Sequence, residues 1–346
     1  MLAAMPRPVS NPPSPWSTTH VEWLEEPPNA QLGIYEEDAK SILSENDSPD
    51  IGFRYSVNPY RGCLHACAYC YARPSHQYLG WGAGTDFDRK IVVKRNAPEV
   101  LRKELSRRSW QGEVIAFSGN TDCYQPLEAN YELTRRCLEV CLEFQNPVSI
   151  ITKGALIRRD IELIAELSRR AGAHVNISVP FADDAVARKI EPYASRSSHR
   201  FEAMRLLSEA GVSTGIFIAP VIPGLNDTDI PILLERARAA GATRAGITLL
   251  RLPAEVLPVF KERIEDAFPE RAKRIRNAIL EVRGGKMNDS TFGNRMSGRG
   301  ARWEAVQALF DVHCRKLGLN TGHERAEGLT KNAFRRPSAQ GRLFDV

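Results

Sequence analysis

The sequence is short of several things, and each absence narrows what it encodes. No apolar stretch approaches the roughly 20 residues that a bilayer-spanning helix needs, so a membrane-spanning protein is not expected. The opening residues, MLAAMPRPVSNPPSPW, lack a basic start leading into an apolar run, and no signal peptide is expected there. A secreted disulfide framework is missing too. The seven cysteines are odd in number, and three crowd together at Cys63, Cys67 and Cys70 in a chain of 346 residues. A reducing cytoplasm is the expected location. Strong net charge is also absent: the formal charge is +5 and the pI about 8.8, which implies a polyanionic partner only where the charge is concentrated.

What is present is ordinary globular composition, 42% hydrophobic and 26% charged, enough for a sizeable core. Residues 1–30 carry 7 of the 22 prolines, which remove donors and block helix, so residues 1–45 are expected to be largely disordered. From GFRYSVNPYRGC onward a unit recurs: a short β-branched run, a polar turn, then a helical stretch. GEVIAFSGN, PVSIITKG, HVNISVP, STGIFIAPVIPG and TRAGITLLRLP read as strands, each followed by an amphipathic segment. Gly172, Gly211 and Gly241 sit where left-handed helix ends are expected. With the strand before Cys63 this makes six βα units, hence a parallel sheet and a partial (β/α)6 TIM-like barrel over residues 46–268. Chemistry in such folds gathers at the carboxyl ends of the strands. A basic, mostly helical extension is expected over 269–335, and a flexible tail over 336–346.

The cysteine loop, GCLHACAYCYA, follows the first strand on that face. Thiolates select iron–sulfur clusters, zinc or copper(I). A zinc site needs a fourth ligand, for which His65 and His76 are candidates. A redox CxxC at Cys67 and Cys70 leaves Cys63 unused. The third reading is a [4Fe–4S] cluster on three cysteines with one iron open, and an open coordination position is a catalytic feature.

CxxxCxxC at the mouth of a partial α/β barrel resembles the radical S-adenosylmethionine (SAM) superfamily. The resemblance implies that SAM chelates the open iron. The reduced cluster then cleaves SAM to a 5′-deoxyadenosyl radical, which abstracts hydrogen from a substrate; a reductant such as flavodoxin or ferredoxin is implied with it. Tyr69 matches the aromatic position the superfamily sets against adenine. Ser118, Gly119 and Asn120 match its small, glycine-containing turn for the SAM ammonium. At later strand ends, Lys153 is a candidate for the SAM carboxylate and Ser178 for the ribose. Arg188, with Glu191, is a candidate for lining the pocket, and Ala219, Pro220 and Leu252 for packing on the adenine.

SGNTDCYQP, the TK after the third strand, NISVP with the later EP, and IAPVIPG together resemble the spore photoproduct lyase, or DNA-repair-photolyase-like, branch over roughly residues 50–255. That likeness implies lyase-type DNA repair. In one respect the chain departs from the branch: the hydrogen-returning cysteine at the end of the second strand is replaced by Ser118 or Gly119. Cys123 is a candidate substitute, and Tyr124, with Asp122, Gln125 and Glu128, a candidate to meet substrate. Cys137 and Cys141 share a helix face and read as core, as does Cys314.

Residues 271–302 hold nine basic residues against two acidic ones, a candidate phosphate-tracking segment. In the tail, QGRLF resembles the peptide by which bacterial DNA-repair and replication proteins dock on the sliding clamp, with Gln340, Leu343 and Phe344 as anchors. Two further readings stand beside DNA repair. One keeps the radical chemistry but moves it to RNA, peptide or a small molecule; the other is a non-enzymatic iron–sulfur or zinc nucleic-acid-binding protein.

Overall fold

A computed structural model describes residues 31–321 and 333–337. Ten strands are found among them: β1 (Gly33–Glu37), β2 (Leu43–Glu45), β3 (Tyr55–Val57), β4 (Tyr60–Arg61), β5 (Lys90–Lys94), β6 (Ile115–Phe117), β7 (Val148–Thr152), β8 (Ala173–Ser178), β9 (Ser213–Val221) and β10 (Arg244–Leu249). Seven form one sheet in the order β10-β9-β8-β7-β6-β3-β2. From β3 to β10 every pairing in it is parallel, and only β2 runs antiparallel at the edge. These six parallel strands in sequential order are the expected partial barrel. Most positions of β3, β6, β8 and β9 are buried, β7 alternates buried and half-buried residues, and the edge strand β10 is half-buried along most of its length.

The helices fall where the period of 3.6 put them. Arg170, Glu209 and Ala239 end helices Ile161–Arg170, Ser197–Glu209 and Ile230–Ala239, and Gly172, Gly211 and Gly241 follow with positive φ. One expected helix is split. Glu132 takes φ +51, and the carboxylate of Glu128 accepts the backbone N–H groups of Thr134 (2.9 Å) and Arg135 (3.2 Å). An acidic side chain thus caps the first turn of Leu133–Glu143 and starts that helix afresh.

Two regions differ from expectation. Residues 33–45, grouped above with the proline-rich segment, form β1 and β2. β1, β5 and β4 make a second, three-stranded sheet that brackets the cysteine loop. At the other end, Ala301–Leu317 is not an appendage: Trp303, Val306, Phe310 and Cys314 are buried in the main core. Asn320 then donates to the carbonyl of Ala245 and accepts its N–H (3.0 and 2.9 Å), pairing with the open edge of β10. No helix of the described residues is long and apolar enough to cross a membrane.

Candidate active site at the strand ends

The cysteine loop is held from three sides. Gly62, at φ +80, is pressed so closely that a Cβ would lie 2.9 Å from His76, Ile91 and the Phe87 carbonyl. Only glycine fits there. Gln125 uses both ends of its buried amide on the loop, accepting from Leu64 N–H (3.0 Å) and donating to the Gly62 carbonyl (3.1 Å). Arg73, 1% exposed, donates twice to the Cys67 carbonyl (2.9 and 3.1 Å) and reaches Ala83, Gly84 and Asp88. Turns close from Ala66 N–H to the Cys63 carbonyl and from Cys70 N–H to that of Cys67, both 3.2 Å. All three cysteines are free, Cys63 and Cys67 buried and Cys70 half-buried. Burial pushes each thiol up.

Around this loop the ends of successive strands converge. The Lys153 ammonium, just past β7, donates to Ser178 Oγ at the end of β8 (2.9 Å) and lies 5.7 Å from the Tyr69 ring. Ser178 Oγ donates to the Ala219 carbonyl on β9 (3.3 Å). Tyr69 and Leu252 are buried in one apolar cluster with Cys67, and Cys70 packs against it. Pro220 is buried beside Ala219, its carbonyl accepting from Asn226 (3.0 Å). Tyr69, Lys153, Ser178, Ala219, Pro220 and Leu252 are thus gathered with the cysteines.

The turn after β6 joins them. Ser118 has φ +75 and its Oγ accepts from Cys123 N–H (2.9 Å). A Cβ on Gly119 would stand 2.7 Å from Ser56 on β3, so the turn packs flush on the neighbouring strand. Asn120 N–H donates to Asn58 Oδ1 (2.8 Å), fixing this turn to the segment that enters the cysteine loop. Asp122 accepts from Thr152 Oγ1 (2.6 Å) and Lys153 N–H (2.7 Å), and its other neighbour is His65 (3.4 Å). Burial alone would raise its carboxyl. The His65 ring and these donors outweigh that and hold it well below the usual carboxylate range.

Other candidates lie elsewhere. Cys123 is fully buried in the main core, its carbonyl accepting from Thr134 Oγ1 (2.7 Å), and burial pushes its thiol up. Tyr124 is 1% exposed and its hydroxyl donates to Asp160 (3.1 Å). Arg188 stands exposed on helix Asp184–Ile190. Its expected companion Glu191 is the one that turns inward. Glu191 accepts from the Tyr69 hydroxyl and pairs with Arg200 (2.5 Å), and Arg200 also donates to the Ser178 carbonyl (2.8 Å). Sequence reading missed Arg200, yet it left a signal: an arginine on the buried stripe shared by Ala203, Met204 and Leu207. Of the nine basic residues over 271–302, five have internal partners. Arg271 donates to the Gly224 carbonyl, and buried Arg283 to four carbonyls. Arg295 pairs with Asp50, Arg299 with Asp289, and Arg302 with Glu281. Lys273, Arg274, Arg276 and Lys286 are left exposed. Gln340, Leu343 and Phe344 lie outside the described residues.

The donor set suits an iron–sulfur cluster. Three soft, uncrosslinked thiols on a tightly pinned loop are what a cubane needs. One ring nitrogen of each histidine is engaged, His65 Nδ1 with Asp122 at 3.4 Å and His76 Nε2 with the Lys90 carbonyl at 2.8 Å. Among the described residues no three His, Cys, Asp or Glu side chains are gathered to hold one metal ion. Thiols that each take a different iron of a cubane need not be.

A parallel partial barrel with such a loop at its strand ends defines a class, the radical enzymes built on an iron–sulfur cluster. The family model described as the radical SAM superfamily matches residues 57–237, just over half the chain. The chain belongs to that superfamily; it is an enzyme of radical chemistry and works with a [4Fe–4S] cluster and SAM. An uncharacterized protein of Mycobacterium tuberculosis is 40% identical over 240 residues, covering 68% of this chain and 71% of its own. A Radical SAM Nalpha-GlyT isomerase of Pseudomonas phage M6 is 26% identical over 264 residues, 75% of this chain and 53% of its own. Among solved structures, spore photoproduct lyase complexed with dinucleoside spore photoproduct is similar in fold, with TM-score 0.58 and 14% identity over 83% of this chain and 80% of that one.

Proposed function

We propose that Cys63, Cys67 and Cys70 each bind one iron of the cluster, that SAM takes the fourth, and that the enzyme abstracts hydrogen from a nucleic-acid substrate, DNA, in a repair-type reaction. The observation that carries the cluster assignment is the pinned loop of three free thiols beside Lys153 and Ser178. When bound, the cluster supplies the electron that breaks the sulfonium of SAM. The chain's own residues do the rest. Lys153, steadied by Ser178, offers a cation to the SAM carboxylate. Backbone groups of Ser118, Gly119 and Asn120 meet the ammonium, and Ser178 the ribose. Ala219, Pro220, Leu252 and Tyr69 enclose the adenine and exclude water. A small electron carrier of the flavodoxin or ferredoxin kind reduces the cluster, which suits a reducing cytoplasm.

Two features support DNA. The fold is that of spore photoproduct lyase, whose solved form holds a dinucleoside photoproduct. Helix Pro269–Val282 also presents Lys273, Arg274 and Arg276 to solvent. Cys123 has no part in this reading, because it is sealed in the core. The test is oxygen-free reconstitution with iron and sulfide. The wild-type protein should turn brown and change its spectrum on adding SAM; Cys67→Ala should lose iron and the SAM response. Deuterated DNA should then pass label into 5′-deoxyadenosine. Label arriving only from RNA, peptide or small molecules would move the substrate; a cluster that ignores SAM would overturn the cofactor assignment to these cysteines.

A further inference from the structure

Beyond β10 the chain turns through Leu250, Arg251 and Leu252, and residues 284–300 fold back over that turn. The fold-back is firmly tied. Leu249 N–H donates to the Met296 carbonyl (3.1 Å) and Leu252 N–H to Asn288 Oδ1 (3.0 Å). Buried Arg283 donates to the carbonyls of Leu250, Asn294, Arg295 and Ser297 at 2.8–3.1 Å. Two aromatic rings stand out on the resulting rim: Tyr71, next to Cys70 and 48% exposed, and Phe292, 58% exposed. Each has a guanidinium against it, Arg251 at 5.8 Å from the Tyr71 ring centre and Arg295 at 4.4 Å from that of Phe292. The rings are set rather than loose. The Tyr71 hydroxyl donates to the Gly119 carbonyl (2.9 Å), and Arg295 is anchored on Asp50 (2.6 Å).

Arg251 is the exception among these cations. It is half-buried, and its hydrogen bond is to the Met296 sulfur at 3.8 Å; no carboxylate among the described residues pairs with it. Burial, and then the charge of Arg295, press its affinity for a proton down. A guanidinium held in place, partly dehydrated and without an acid is suited to an incoming anion.

We infer that Tyr71, Arg251, Arg295 and Phe292 form a docking rim for single-stranded nucleic acid, with Arg251 taking a backbone phosphate and the free faces of Tyr71 and Phe292 stacking on bases. Aromatic faces interleaved with cations are the means by which proteins hold unpaired strands. Bases inside an intact duplex offer no face to such rings. The rim adjoins the cysteine loop, so a stacked base would sit next to the chemistry. The inference rests on the nucleic-acid reading above and deepens it.

The test is fluorescence anisotropy with a labelled 12-nucleotide single-stranded DNA and reconstituted protein, as a function of salt. Arg251→Ala should weaken binding about tenfold and flatten the salt dependence by about 0.7 in log–log slope, the loss of one phosphate contact. Phe292→Ala, an exposed change that leaves the fold alone, should weaken binding at least about fivefold with the salt slope unchanged. Cluster absorbance and iron content check that each variant is loaded. Wild-type binding that neither variant alters would overturn the rim and spare the nucleic-acid reading. No wild-type binding to this strand, with duplex DNA still bound, would overturn the rim alone; no binding to either even at low salt would overturn both.

Discussion

Two buried ionic networks in this chain use the same parts for different ends. Near the cysteine loop, Glu191 accepts from the Tyr69 hydroxyl and pairs with Arg200. In the segments that follow β3, β6 and β7, Glu128 accepts from the Tyr60 hydroxyl (2.5 Å) and Arg159 (2.8 Å), while Asp160 takes Arg135, Arg159 and Tyr124. Both join tyrosine, carboxylate and arginine. They differ in where the cation sits. Arg200 has 1% of its side chain exposed, whereas Arg159 and Arg135 keep 22% and 36%. They differ also in what the carboxylate organises: Glu128 caps the helix Leu133–Glu143, while Glu191 ties the Cys67–Cys70 turn, through Tyr69, to the end of β8, through Arg200. The first network fixes the chain to itself. The second fixes the chain around the proposed cofactor site, and it is sealed from water that would relax it.

The comparison breaks most sharply at Arg200. Arg200→Ala leaves the Glu191 carboxylate buried without its hydrogen-bonded ion-pair partner, at a cost of about 3–5 kcal/mol. It also frees Tyr69 and the Ser178 carbonyl. Denaturant unfolding should show the stability loss, and the folded fraction should retain less iron and bind SAM more weakly. Unchanged iron and SAM binding per folded chain would reduce the Glu191 network to the same anchoring role as that of Glu128.

Much of this was legible in the sequence. The six parallel strands and their helices followed from period and punctuation, because short β-branched runs alternate with amphipathic helical stretches along the chain. That Cys63, Cys67, Cys70, Tyr69, Lys153 and Ser178 would be brought near one another was legible because strand ends recur at one face. What escaped was set by long-range pairing. Arg200 lies 22 residues past Ser178, and nothing local names Glu191 rather than Arg188 as the inward residue. Cys123, close to the strand end in sequence, is rotated into the core by the turn at Ser118. The basic run over 271–302 read as a surface, but carbonyl groups and acids, some within the run and some as distant as Asp50, engage five of its charges.

The second break is expected to be smaller and of another kind. Glu128→Ala removes the helix cap and one ionic partner, but Arg159 keeps Asp160 and is already near solvent. A loss of about 2–3 kcal/mol is expected, with iron content and SAM binding per folded chain unchanged. Reduced SAM binding in this variant would mean that the two networks are coupled through the sheet.

Finer still is a pair of hydroxyl deletions. Tyr69→Phe and Tyr60→Phe each remove one hydrogen bond to a buried carboxylate, worth about 1.5–3 kcal/mol. Both should lower the urea midpoint by similar amounts. Only Tyr69→Phe should also weaken SAM binding, measured by titrating the cluster spectrum. Equal SAM affinities in the two variants would remove the distinction drawn here.

The smallest effect is expected in acid. Burial by itself would raise the Glu191 carboxyl, but Arg200 and Lys153 outweigh it and hold it below its ordinary value of 4.5. A carboxyl depressed in the folded state is protonated first in the unfolded chain as the pH drops. The stability it contributes is therefore complete above about 4.5 and drains away as pH falls through and below that value. Glu191→Gln has no such proton to take up. Between pH 7 and pH 3.5 its urea midpoint should decline less steeply than that of the wild type, with the two curves converging at the acid end. Parallel curves would mean that the Arg200 pairing does not favour the charged carboxylate, and that the sealed site network owes its order to packing alone.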